Sequence, residues 1–128
     1  MEGRTPISAS IKTVAFEGIE ARPVDVQVQF SSGIPNFIIV GLADKAVGES
    51  KERVRAALNA MGLALPSKRI VVNLSPADLQ KEGSHYDLPI ALGVLVTLGV
   101  ISQQDLESFM CLGELSLHGA INSVSGIL

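Results

Sequence analysis

VNLSPADLQKEGSHYDLPIALG, Val72 to Gly93, runs from a strand-like segment through a polar, charged loop directly into an apolar helix. In folds that mix helices with a sheet, such junctions are where chemistry or partner contact is usually built. Within ten positions the loop gathers Asp78, Lys81, Glu82, Ser84, His85 and Asp87. These ionisable and nucleophilic groups make an enzyme a reading worth testing, and the test depends on partners elsewhere in the chain.

Outward from that stretch, Arg69 to Leu74 reads as a strand and the helix begins near Asp87. Pro89 fits the first helical turn, where its missing amide hydrogen is not required. From Leu88 to Leu98 the helix is apolar on nearly all sides, which predicts a position pinned between the sheet and other elements. Upstream, Ile7 to Phe16 reads as a first strand that Gly18 turns back. Val24, Val26, Val28 and Phe30 alternate with Asp25, Gln27, Gln29 and Ser31, the period of two of a strand with one buried face.

Phe37 to Val40 is an unbroken apolar run and is expected to be a central strand covered on both faces. Asp44 is expected to cap the first helix, whose apolar side carries Val47, Ser50, Val54, Ala57, Leu58 and Met61. Gly62 is expected to end it in a left-handed cap. Glu49 and Arg53 stand four apart and can pair. Gly48 costs a helix about 1 kcal/mol against alanine, so a close backbone approach is one reading of it. Gln103 to Ser108 reads as a helical turn, and Phe109 to Leu117 with Ile121 to Val124 as a final hairpin. This order implies an α+β domain, a mixed sheet with two main helices on one face.

Length and composition bound the rest. A chain of 128 residues fits one domain able to bury a core without staples. Cys111 stands alone, which excludes an intramolecular disulfide and suits a reducing, cytoplasmic setting. A hydrophobic fraction of 47% and a mean hydropathy of +0.38 raise the question of a membrane. The longest apolar run, Leu88 to Ile101, is interrupted by Pro89, Gly93, Thr97 and Gly99 and falls short of the ~20 residues of a span.

The net charge of −3 conceals an asymmetry. Every Lys and Arg lies at or before Lys81, and from Glu82 onward only acids remain. Lys51, Arg53, Arg55, Lys68, Arg69 and Lys81 are therefore the candidates for contact with DNA or another anionic partner, and the polarity suits head-to-tail assembly. The plain alternative for each is a solvated helix face or strand end.

Chemistry must be argued against that background. No G-x-x-x-x-G-K-[ST] and no G-x-G-x-x-G after a strand is present, so this chain alone is not expected to hydrolyse ATP. His85, His118, Cys111 and scattered carboxylates lack the paired spacing of a zinc site. Ser84 beside His85 does not make a nucleophile and base, because sequence neighbours seldom face each other. Turn and cap roles account for Ser84, Asp78 and Asp87. The functional alternative places Lys81, Glu82 and Asp87 together at the rim of the sheet, accepting a partner's charge.

Read together, GLADKAVGESKERVRAAL, VNLSPADLQKEGSHYDLPIALG and LGELSLHGAI resemble the N-terminal domain of the magnesium chelatase-like AAA+ ATPases, the ComM/YifB-like competence family. The resemblance covers about Ser8 to Leu128. It implies a fold similar to the second domain of ribosomal protein S5, shared with the Lon proteolytic domain. It also implies an ATPase core and a C-terminal chelatase-type domain beyond this chain, with ATP and magnesium held there, and a hexameric parent acting on branched DNA in recombination. This domain would then meet its own ATPase core, neighbouring subunits and, in one version, DNA.

Lon-type peptidases sharpen the test, since they use a serine in a K-D-G-P-S-A-G-like segment and a lysine shortly after a G-E-[IL]-[TS]-L-x-G hairpin. KEGSHYDLP resembles the first and GELSLHG, Gly113 to Gly119, the second. In that register Leu128 stands at the lysine position, His85 or Asp87 stands at the serine position, and Ser84 is off by one. The implied site is a vestigial rim of Lys81, Glu82, Ser84, His85, Asp87 and Leu128, without a catalytic residue, because leucine cannot take a proton from a hydroxyl. Ala43, Gly48, Ser123 and Ser125 depart from the family pattern, and two absent arginines weaken the expectation of strong DNA binding. A non-catalytic accessory domain is the leading expectation. A serine–lysine peptidase and a small-ligand sensor at Lys81 to Asp87 are the alternatives.

Overall fold

A computed structural model describes residues 8–122 of the chain. β1 (Ser8–Glu17) and β2 (Glu20–Ser31) form a long antiparallel hairpin, with Ile11 opposite Val26 and Glu17 opposite Glu20. Gly18 takes a φ of 63°, while Ile19 keeps a negative φ. One left-handed residue at the first turn position matches the twist of the flanking strands. β3 (Asn36–Val40) leads into α1 (Asp44–Ala60), and the chain returns as β4 (Arg69–Ser75), parallel to β3 and antiparallel to β2. The sheet order is β1-β2-β4-β3.

β3 is thus an edge strand and not the central one expected from its apolar run. β4 enters between β2 and β3 and takes the middle place. Only Phe37 and Ile39 of β3 are buried; Val40 is exposed and Ile38 half-buried. One sheet face carries the core: Ala9, Ile11 and Ala15 from β1, Val24, Val26 and Val28 from β2, and Ile70, Val72 and Leu74 from β4. The other face is polar at its centre, where Ser10 Oγ and Gln27 Nε2 donate to Asp25 and Asn73 Nδ2 donates to Gln27.

α2 (Asp87–Thr97) lies across β1 and β2 beside α1, and nine of its residues are buried. Gly93 sets the closeness of that contact, since a Cβ there would stand 2.4 Å from Val28 Cγ2. α1 buries Ser50, Val54, Ala57 and Leu58, and Met61 of the expected stripe is exposed. Asp44 is the first helical residue and makes no side-chain cap, so its contribution is an acid in the first turn. Gly62, at φ 80°, closes the helix: its amide donates to Asn59 O and the Leu63 amide donates to Leu58 O, the paired bonds of a Schellman motif. Among the described residues a Cβ at Gly48 would meet nothing within 4 Å, so no close backbone approach by them accounts for it.

α3 (Gln103–Leu106) is one turn, and β5 (Glu114–Leu115) pairs with β6 (Ile121–Asn122) in a small separate hairpin. The expected last strand residue, Val124, and the Leu128 position lie outside the described residues. Among the described residues the architecture is α+β, with a mixed four-stranded sheet and three helices.

Candidate functional site

The loop between β4 and α2 is held by its own polar groups. Lys81 is buried, and its Nζ donates to the carbonyls of Pro76 at 2.6 Å and Leu79 at 2.8 Å. Those carbonyls replace the water the ammonium loses, as a buried cation requires. Desolvation lowers the Lys81 pKa from its ordinary value, with Asp78 partly opposing. Among the described residues no hydrogen bond links Lys81 to Ser84, and the Lys81 ammonium is held by the two carbonyls.

His85 is also buried, and its Nε2 lies 2.7 Å from Val14 O on β1. The carbonyl has only lone pairs to offer, so the ring nitrogen facing it carries the proton. Phe16 and Tyr86 pack on the ring at centroid distances of 5.3 and 4.1 Å. Burial lowers the His85 pKa, against smaller raising effects of Val14 O and Asp87. Burial pushes the Tyr86 phenol up to about 12, helped by Glu82, and raises the Cys111 thiol. Neither group is activated as a nucleophile at neutral pH.

Asp87 is where the three motifs meet. Its side chain is 1% exposed. Arg53 Nε donates to Oδ2 at 2.5 Å and Nη2 to Oδ1 at 3.3 Å, Ser50 Oγ donates to Oδ1 at 2.7 Å, and the Leu115 amide donates to Oδ2 at 3.1 Å. The bond to Asp87 raises the Arg53 pKa, against desolvation, with further attraction from Asp87, Glu114 and Glu49. Backbone bonds zip the same elements together: Gly113 N to His85 O and Leu88 N to Gly113 O, both 2.9 Å. Four donors on one carboxylate satisfy it fully, and the helix N-terminus adds its own positive end.

This geometry corrects several expectations. Asp87 does not cap α2 with its side chain, because Tyr86 holds the cap position. Arg53 directs its guanidinium to Asp87 rather than to Glu49. Of the residues named for the rim, Lys81, His85 and Asp87 are buried and bonded within the domain, Ser84 is half-buried and Glu82 is exposed. Leu128 lies outside the described residues. Ser50 was hidden as one polar member of an apolar helix stripe, and a lone hydroxyl on such a stripe is the signal that a buried partner faces it.

Of the six candidate bases, Arg53 and Lys81 are thereby committed inside the domain. Arg55, Lys68 and Arg69 are exposed and Lys51 half-exposed. Lys51 Nζ and the Arg55 guanidinium each lie 6.0 Å from the Phe37 ring centroid. Arg55 and Lys68 flank a depression of about 310 Å³ with Asn36 and Phe37 in its wall. Lys68 also borders a second one of about 530 Å³, lined by Ser31, Ser32 and Ser67. β2 ends and β3 and β4 begin at this end of the sheet, where Lys68 and Arg69 stand with Arg55 nearby. No helix among the described residues is long and apolar enough to cross a membrane.

Residues 26–128 match the family model described as subunit ChlI of Mg-chelatase. The chain is 42% identical over 120 residues to competence protein ComM of Haemophilus influenzae, covering 94% of this chain and 24% of that protein. It is 41% identical over 118 residues to the uncharacterized protein YifB of Escherichia coli, covering 92% of this chain and 23% of that one. An uncharacterized Mycobacterium tuberculosis protein, Rv2897c, is 40% identical over 116 residues, 91% of this chain and 23% of its own length. The chain spans about a quarter of the length of the curated relatives it matches. The matched span takes in the three motifs that converge on Asp87, and the chain belongs to the magnesium chelatase-like family of ComM and YifB.

Proposed function

We propose that this chain is a non-catalytic accessory domain of a magnesium chelatase-like AAA+ ATPase and acts by contacting DNA or a neighbouring subunit. The observation that carries this reading is the occupation of the loop's chemistry by structure. Lys81 is bound to two carbonyls, His85 to Val14 O and Asp87 to Arg53, while the cations at Lys51, Arg55, Lys68 and Arg69 stay accessible. A fold of the ribosomal S5 and Lon type is consistent with the mixed sheet and belongs to the same reading. The parent protein is read as a cytoplasmic, ATP-driven DNA motor in recombination or natural transformation, in keeping with the name of the H. influenzae relative. ATP and magnesium are assigned to its ATPase core and to no residue of this chain.

A salt-titrated DNA-binding measurement tests the DNA branch. Phosphate contacts make affinity fall steeply with salt, by a log–log slope of about −0.7 to −0.9 per contact. Binding with such a slope, reduced when Arg55, Lys68 and Arg69 are replaced together by Ser, is the expected result for DNA contact. Salt-insensitive binding, or none at low salt, removes that branch and leaves subunit assembly.

A further inference from the structure

The two long edges of the sheet differ. On β1, Gln103 pairs its side-chain amide with both backbone groups of Ser10, at 2.9 Å to the amide and 2.8 Å to the carbonyl. Two residues on, Lys12 O accepts from the Cys111 amide at 2.8 Å, and two further on Val14 O meets His85. The outward carbonyls of Ser10, Lys12 and Val14 and the Ser10 amide are thus occupied, which leaves a further strand no continuous ladder along this stretch. On β3, the Asn36 amide donates to Lys68 O, which turns Asn36, Ile38 and Val40 toward β4. The parallel ladder then turns the backbone groups of Phe37 and Ile39 outward. Asn36 Oδ1 takes the Phe37 amide at 2.8 Å. Among the described residues, the Phe37 carbonyl and both Ile39 groups have no partner.

An open edge of this kind is a template for strand addition, and its surroundings say what would fit. On the helix-covered side of β3 stand Lys51 and Arg55, beside Phe37. On the open side stand Ile38, half-buried, and Val40, exposed. An added strand alternates its side chains between those two sides. We propose that the β3 edge adds an extended segment of a partner protein in which acidic and apolar side chains alternate, the acids meeting Lys51 and Arg55 and the apolar groups covering Ile38 and Val40. Pairing of two β3 edges from copies of this chain is disfavoured, since it would bring like charges together. The inference rests on the accessory-domain reading and resolves it toward protein assembly for these two cations.

The test titrates a labelled peptide of about ten residues, alternating Glu and Val, into the chain and follows anisotropy. Parallel titrations use the same peptide N-methylated at alternate residues, and one with Lys for Glu. The Glu–Val peptide is expected to saturate, each control to bind at least about tenfold more weakly, and K51E/R55E to weaken it similarly. Slower amide exchange at Ile39 is expected to accompany binding. Absence of binding, equal binding of the N-methylated peptide, or protection elsewhere than at β3 would overturn strand addition. If strand addition fails in this way while K51E/R55E still weakens DNA binding, the accessory reading survives through DNA; if neither ligand responds to the reversal, both readings fall for these residues.

Discussion

Arg53 and Asp87, 34 positions apart, form a hydrogen-bonded ion pair at 2.5 Å that ties α1 to the start of α2, while the Leu115 amide brings β5 onto the same carboxylate. A buried charge pair costs desolvation on both sides and is retained only where its geometry and extra donors compensate. Ser50 and Leu115 are those donors. The consequence is that three separated stretches of chain share one joint.

Removing one partner of that joint should be severe. Asp87→Ala leaves Arg53 and the Leu115 amide without their acceptor, and Arg53→Met leaves a buried carboxylate short of its charge partner. Each should lower unfolding free energy by about 3–5 kcal/mol, measured by urea titration of the chain. A loss below about 1 kcal/mol for both would show that the joint relaxes without cost.

Two glycine substitutions should move stability in opposite directions. Gly93→Ala places a methyl against Val28 and should cost about 1–3 kcal/mol by overpacking. Gly48→Ala meets open space in an exposed helical position and should stabilise by up to about 1 kcal/mol. Thermal unfolding of both variants beside the parent chain separates the two. Gly93→Ala matching or exceeding the parent would deny the close contact of α2 with the sheet.

Acidification should destabilise the chain through His85. Its pKa is lowered in the fold, so below about 6.5, the ordinary histidine value, the unfolded chain takes up protons that the folded one refuses. Stability therefore falls as pH drops through that value and levels off once the lowered folded pKa is passed. His85→Gln should flatten this part of the profile, read from denaturant midpoints between pH 7.5 and 5. An unchanged slope would place the titration elsewhere.

The exposed cations should be dispensable for folding. Lys68→Ser and Arg69→Ser should change stability by less than about 0.5 kcal/mol each, because neither makes an ion pair among the described residues. A larger loss in denaturant titration would mean that they serve the fold rather than a partner.

Much of this architecture is legible in the chain, and the exceptions share a cause. Val24 to Phe30 announces a strand because alternation is local, and Gly62 announces its cap because the left-handed turn falls one position beyond the C-cap Met61. The edge position of β3 is not legible, since an apolar run states that cover exists without stating how much or on which side; the sheet order is fixed by where β4 inserts. Asp87 is the same case at the site. At a helix start an acid reads locally as a cap, and only the folded chain brings Arg53, Ser50 and Leu115 to it. Lys81 reads as a rim charge open to a partner, whereas here the carbonyls of Pro76 and Leu79 take the place of water around its ammonium, as Val14 O does for the His85 ring.

Whether the loop from Pro76 to Tyr86 is a structural joint or a peptidase centre is decided most directly by incubating the chain with an unfolded protein, with the Ser84→Ala variant in parallel. Both substrate and chain should remain intact over hours, identically for the two forms, because Lys81, the amine nearest to Ser84 in the sequence, is held by the Pro76 and Leu79 carbonyls. Cleavage by the parent chain that disappears in Ser84→Ala would contradict this and make the loop an active site.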